Sequence, residues 1–235
     1  MGIGVRALDF PEQPAWNLSF DFDGTLHHPA DDPPVAEAFF EMVAALRVEH
    51  GAIWGINTGR SMNHVMEGLI ESRFPFAPDW VVARECEIWQ LNSHGRWVGQ
   101  EGWNAKCEKD HRKLFRSTRK LMKKIRAEVE EHTGANWVEQ AGEPAGLIAR
   151  TNDEMDWIVN RVRELADGVA SLSWQRNEIY LRFGHRDYQK GSSLAHVSEC
   201  YGLTAGESFA IGDSHNDFEM LSDTAASRIA CPANA

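Results

Sequence analysis

The stretch Asn17-Leu18-Ser19-Phe20-Asp21-Phe22-Asp23-Gly24-Thr25-Leu26 decides how the rest of the chain is read. It is a short apolar strand that ends in two carboxylates, a glycine and a hydroxyl. Alternation along a strand sends Asp21 and Asp23 to the same side. Two like charges held together are costly unless a cation or a proton separates them. Gly24 supplies backbone for a sharp exit, and Thr25 can bond back to it. Strand ends at the carboxyl edge of a parallel sheet are where α/β proteins place ligands. The stretch therefore reads as an acidic, metal-loaded site at a strand terminus. The plainer alternative is a D-G turn leaving a strand, its first aspartate capping a neighbour.

Outward from this strand the spacing predicts alternation. A polar loop from His27 leads to a helix capped by Asp32, with Pro33 in its first turn and Val35, Phe39, Met42, Val43 and Leu46 facing inward. Gly51 closes that helix. Ala52 to Ile56 reads as a second strand, ending at Asn57-Thr58-Gly59-Arg60, and Ser61 caps the next helix. Asp79 to Ala83 is a third. This order means a parallel sheet with right-handed crossovers. The rhythm then changes to a hairpin (Glu87 to Leu91, Arg96 to Val98), a long helix from Ala105 to His132, and strands at Ala135 to Gln140 and Gly146 to Thr151 around the turn Gly142-Glu143-Pro144. A helix opened by a Thr151/Glu154 capping box follows, with Met155, Ile158, Val162 and Leu165 inside and Gly168 as its stop. Two more strands, near Val169–Trp174 and Glu178–Phe183, complete an α+β module. Alternation returns with a helix from Lys190, a strand at Ser208 to Ile211 ending in Gly212-Asp213-Ser214-His215-Asn216-Asp217, a helix around Phe218 to Leu221 and a last strand at Arg228 to Ala230. The expected organisation is an α/β core, residues 1–83 and 186–235, with an α+β module inserted at 84–185.

Composition limits the partners. The chain has 235 residues, 43% of them apolar, and a net charge of −11, which argues against nucleic acid or an anionic membrane as the main partner. No run is long enough to span a bilayer, and Met1 to Trp16 carries no apolar leader. Cys86, Cys107, Cys200 and Cys231 lie far apart, without zinc-ligand spacing. A cytoplasmic protein with reduced thiols is expected.

Four strand-end or helix-start features then line up: the Asp21/Asp23 pair, Thr58, Lys190, and the Asp213/Asp217 pair. Magnesium takes few hard oxygen ligands and accepts phosphate oxygens as others. A phosphoryl group needs its charge held by a cation and donors, which Lys190, Thr58 and backbone N–H groups can supply. An aspartate can attack phosphorus and be released later by water.

At these residues the chain resembles the haloacid dehalogenase superfamily. Its D-x-D-G-T motif matches Asp21-Phe22-Asp23-Gly24-Thr25, its strand-two Thr or Ser matches Thr58, its lysine matches Lys190, and its G-D-x-x-N-D motif matches Gly212 to Asp217. The inserted module looks like the larger α/β cap of the branch with Cof-type and sucrose-phosphatase-like enzymes and phosphomannomutases. The resemblance implies a Rossmann-like core with a cap, and a phosphomonoesterase for a small phosphorylated metabolite such as a sugar phosphate. It also implies Mg²⁺ as cofactor, with Asp21 as nucleophile and Asp23 as general acid, then base. Asp21, Asp23 through its backbone carbonyl, and Asp213 would hold the metal, with Asp217 supporting it or Lys190. Thr58 and Lys190 would grip phosphate, with Gly59, Arg60 and Asn216 shaping that end. The chain departs from the pattern in its stretch before Trp16 and in ending soon after Cys231. A phosphomutase of the same branch and a non-catalytic binding protein on this fold are the competing readings.

Other features have plainer explanations. The segment Lys106–Arg126 holds ten Lys or Arg against two acids, either a cationic surface for an anionic substrate or a solvated helix face. Trp54, Trp80 and Trp157 fall on core patterns, and Trp89, Trp97 and Trp103 in and after the hairpin read as packing. His27 and His28 read as loop residues near a leaving group at most, and His215 is given no role. Arg84 and Glu87 are minor substrate candidates by the resemblance.

Overall fold

The computed structural model describes residues 6–138 and 145–233. They fall into two units, one drawn from 1–104, 190–213 and 217–235, the other from 105–189 and 214–216. In chain order the elements are β1 (Arg6–Ala7), β2 (Trp16–Phe20), α1 (Glu37–His50), β3 (Ala52–Asn57), α2 (Met62–Glu71), β4 (Phe76–Ala77), β5 (Trp80–Ala83), β6 (Glu87–Leu91), β7 (Trp97–Gly99) and α3 (Glu101–Ser117). There follow α4 (Arg119–His132), β8 (Asn136–Val138), β9 (Gly146–Ile148), α5 (Asn152–Leu165), β10 (Leu172–Asn177), β11 (Tyr180–His185), α6 (Lys190–Cys200), β12 (Ser208–Ile211) and β13 (Arg228–Ala230).

The first unit is built on a seven-stranded sheet of order β13-β12-β2-β3-β5-β6-β7. Pairing is parallel from β13 to β5 and antiparallel through β6 and β7. The hairpin expected in the inserted module is thus an extension of the core sheet, because Trp80 to Ala83 pair directly with Gln90 to Glu87. Period-two alternation divides the buried side chains between two layers. Leu18, Phe20, Trp54, Ile56 and Val81 pack on one face with Phe40 and Val43 of α1 and Val65 and Leu69 of α2. Ile53, Trp80, Val82, Leu194, Val197 and Ala210 pack on the other.

Two polar devices fix the sheet. Trp80 lies opposite Gly55 in register, and its ring occupies the space a Cβ on Gly55 would need, 2.1 Å from the nearest ring carbon. Its Nε1 donates to Asn17 Oδ1 at 2.9 Å, and Asn17 Nδ2 donates to Ser198 Oγ at 2.9 Å, so the buried amide is satisfied. On the other layer the buried Arg47 of α1 pairs with Asp79, which also accepts from Trp54 N at 2.9 Å.

Three helix expectations shift. The first helix starts at Glu37 behind Ala36, with no side-chain cap. Asp32 lies outside it because Pro34 O is held by His28 N in the preceding loop. Its inner face is Phe40, Val43 and Arg47, leaving Met42 exposed. The long helix predicted over 105–132 breaks at Thr118, where Ser117 Oγ and Thr118 Oγ1 both bond back to Leu114 O, a contact that bends helices. Around Phe218 the expected helix is replaced by a 3₁₀ turn at His215–Asp217.

The second unit has an antiparallel sheet of order β10-β11-β9-β8. Its core joins Ile125 and Val129 of α4 to Met155, Ile158 and Val162 of α5 and to Leu147, Leu181 and Phe183 of the strands. Trp157 is 38% exposed rather than core, since α5 turns Met155 and Ile158 inward instead. The capping box is half formed: Thr151 Oγ1 accepts from Glu154 N, but Glu154 reaches past it to the N–H groups of Arg150 and Gly134, both at 2.6 Å. Residues 139–144, with the expected turn Gly142-Glu143-Pro144 and the end of the strand before it, lie outside the described residues.

Gly55→Ala forces a methyl into the Trp80 ring. We expect a loss on the order of 2–3 kcal/mol in urea unfolding, and a variant as stable as the parent would show that Trp80 can move aside.

Candidate active site

The carboxyl ends of β2, β3 and β12 lie side by side, with Phe20 paired to Ile56 on one flank and to Ile211 on the other. That register brings Asp21, Thr58 and Asp213 to one edge. Asp21 is anchored there by its own N–H, which donates to Ile211 O at 2.9 Å. The start of α6 comes to the same edge, because Asn57 Nδ2 donates to Lys190 O at 2.9 Å.

Lys190 is the centre of the arrangement. It is buried to 1% exposure, and its Nζ donates to Asp21 Oδ1 at 2.7 Å and to Asp217 Oδ1 at 2.5 Å. Burial opposes its charge, yet Asp21, Asp217 and Glu85 outweigh that and hold the ammonium above the usual lysine range. Burial pushes the Asp21 carboxyl up to about 7 against the pull of Lys190, with Asp217 adding to the rise. Asp217 also accepts from Asp213 N at 3.1 Å, which fixes the turn carrying both acids. Thr25 Oγ1 lies 3.2 Å from Asp213 Oδ1 and 3.5 Å from Asp21 Oδ2. Gly24 sits at φ 81° with Asp213 Oδ2 2.5 Å from where a Cβ would be, so both conformation and space require glycine there.

Asp21, Asp213 and Asp217 each offer an oxygen, all within 4.8 Å of one another. Three carboxylates against one ammonium leave the cluster negative, and hard oxygen donors suit a divalent cation such as Mg²⁺. The donor set fits that group. The Asp23 carboxylate stands apart from it, half exposed and gripped in a fork by Arg60, Nε to Oδ2 at 2.8 Å and Nη2 to Oδ1 at 2.6 Å. Arg60, expected at the phosphate end, is thus spent on Asp23 and on the face of Phe22, 4.8 Å from its centroid. Thr58 is buried, its N–H donating to Val82 O and its Oγ1 accepting from Arg60 N at 3.2 Å. Asn216 is buried in the 3₁₀ turn beside Asp217.

His27 is buried and stacked on Phe22 at 5.0 Å, and burial lowers its pKa; it belongs to the packing of the loop. Trp103 likewise packs, stacked on His196 at 4.5 Å. Sequence reasoning missed Glu85, which is 8% exposed just beyond β5. Asp21 directly follows its strand, whereas Glu85 stands two residues past β5, behind Arg84, so the strand-end signal did not mark it.

A family model described as haloacid dehalogenase-like hydrolase matches residues 79–230, a span that includes Lys190, Asp213 and Asp217. No curated protein matches the chain. Among solved structures, the sucrose-phosphatase of Synechocystis shares 13% identity over 95% of this chain and 84% of its own, at a TM-score of 0.69. A haloacid dehalogenase-like hydrolase of Bacillus subtilis shares 16% over 99% and 86%, at 0.64. The IMP-nucleotidase of Plasmodium falciparum shares 14% over 95% and 66%, at 0.66. At these identities the likeness is one of fold.

Lys190→Met removes the cation between two buried carboxylates. We expect a loss of about 3 kcal/mol or more in chelator, part of it recovered by added Mg²⁺. Unfolding midpoints equal to the parent's in chelator would mean that Lys190 is not what holds Asp21 and Asp217 together.

Proposed function

Since the chain belongs to the haloacid dehalogenase-like hydrolases, we propose that it is a phosphomonoesterase acting through an aspartyl-phosphate, with Mg²⁺ as its cation and a small phosphorylated metabolite, a sugar phosphate first, as its substrate. The observation that carries this reading is Asp21, buried against Lys190 with Asp213 and Asp217 close by. A binding protein has no use for carboxylates pressed together at such cost. The sugar-phosphate choice leans on the likeness to the sucrose-phosphatase fold, and the nucleotidase likeness is why a panel must test it.

In this mechanism an Asp21 oxygen attacks phosphorus, the phosphorus–ester oxygen bond breaks, and Asp23 gives the departing oxygen its proton. Water then attacks phosphorus, passes a proton to Asp23 and frees the Asp21 carboxylate. The Arg60 fork must open before Asp23 can carry a proton. Lys190 keeps Asp21 oriented and, with Thr58, holds charge on the transferred group. Bound by Asp21, Asp213 and Asp217, with the Asp23 carbonyl as a further ligand, Mg²⁺ would lower the repulsion between these acids and the phosphate dianion.

Phosphate release over a metabolite panel with Mg²⁺ tests the reading; transfer back to substrate without free phosphate would indicate a mutase instead. Asp21→Asn should abolish release while the fold survives, and substantial activity in the pure variant would remove the covalent route. Asp23→Asn should cost ~10²–10⁴-fold, least with a nitrophenol leaving group. Equal losses with every leaving group would exclude its acid role.

A further inference from the structure

Immediately after β5 the backbone takes two successive left-handed residues, Arg84 at φ 50° and Glu85 at φ 67°. Neither is glycine, and β-carbons are disfavoured in that region. The conformation is held from both sides. Arg84 N donates to Arg60 O at 2.8 Å and Glu85 N to Thr58 O at 2.9 Å, while Ser193 Oγ of α6 donates to Glu85 O at 3.1 Å. The chain is thus laced to the Thr58–Arg60 loop and to the helix that begins with Lys190.

This lacing aims the Glu85 side chain. Its Oε1 is 3.6 Å from where a Cβ on Gly59 would lie, and its charge is one of three that support the Lys190 ammonium. A carboxylate therefore stands beside the loop and lysine assigned above to phosphate. An acid there repels a phosphate dianion, and in the left-handed position glycine would cost the backbone nothing. Non-glycine residues kept in such conformations cluster at functional sites.

We propose that Glu85 is a specificity-determining residue, a fixed acceptor for a hydroxyl of the leaving group close to the phosphoester. The proposal rests on the phosphomonoesterase reading. An ionised carboxylate only accepts, at about four lone-pair sites, so it can serve Lys190 and still take a hydroxyl from a substrate. The preferred substrates are then hydroxylated esters, the polyol and sugar phosphates, and an ester with no neighbouring hydroxyl gains nothing from Glu85. A hydrogen bond to a charged partner is among the stronger neutral-substrate contacts a site can offer.

The experiment compares Glu85→Gly and Glu85→Gln with the parent on nitrophenyl phosphate and on a set of glycerol, pentose and hexose phosphates, with Mg²⁺, alongside thermal unfolding. Glu85→Gly should melt close to the parent, the relief of the left-handed backbone offsetting the lost support for the Lys190 ammonium. Its kcat/KM on the best hydroxylated ester should fall at least tenfold more than on nitrophenyl phosphate, chiefly through KM. Glu85→Gln, which keeps one acceptor, should fall in between. A parent that discriminates while the Gly variant keeps the same substrate ratio overturns the proposal, as does a Gly variant that melts well below the parent, which would make Glu85 structural. A parent that hydrolyses none of these esters removes the phosphomonoesterase reading itself.

Discussion

One ammonium organises the first unit. Lys190 Nζ bonds to Asp21 at the end of β2 and to Asp217 in the turn after β12, while its own carbonyl accepts from Asn57 at the end of β3. Three segments far apart in sequence are thereby fixed to one helix start. A buried ion pair of this kind adds little stability over a hydrophobic replacement, but losing one partner leaves an uncompensated charge. Its value here is placement, since the same contact that closes the fold presents Asp21 in a single orientation.

Around that point the sheet edge divides its charges by surroundings. Asp21, Asp213 and Asp217 gather in one cluster, whereas Asp23, two residues from Asp21, is drawn away by the Arg60 fork. Two acids of one short motif thus meet different neighbours, one a buried ammonium and one a partly buried guanidinium. Different roles in one reaction require that kind of separation.

How much of this was legible depended on sequence distance. Asp21, Thr58, Lys190 and Asp213 could be read because each ends a strand or starts a helix, and that signal is local. The hairpin could be read as a hairpin, but its attachment to β5 depended on pairing partners that no local pattern names. The break at Thr118 arose from two hydroxyls competing for Leu114 O, within a stretch whose apolar period runs through it. Arg60 was placed near the site by its position, yet its capture by Asp23 spans 37 residues. Glu85 escaped because its meaning lies in backbone handedness, which the letters alone do not carry.

The two margins of the large sheet are both short. Among the described residues β7 and β13 have three residues each, and β13 carries Arg228 laid over the Trp16 ring at 4.2 Å and bonded to Gly206 O at 3.2 Å. An exposed strand invites another chain to add to it, and brief, charged edges discourage that. At the β7 margin, three residues give an added strand little hydrogen-bond ladder to extend.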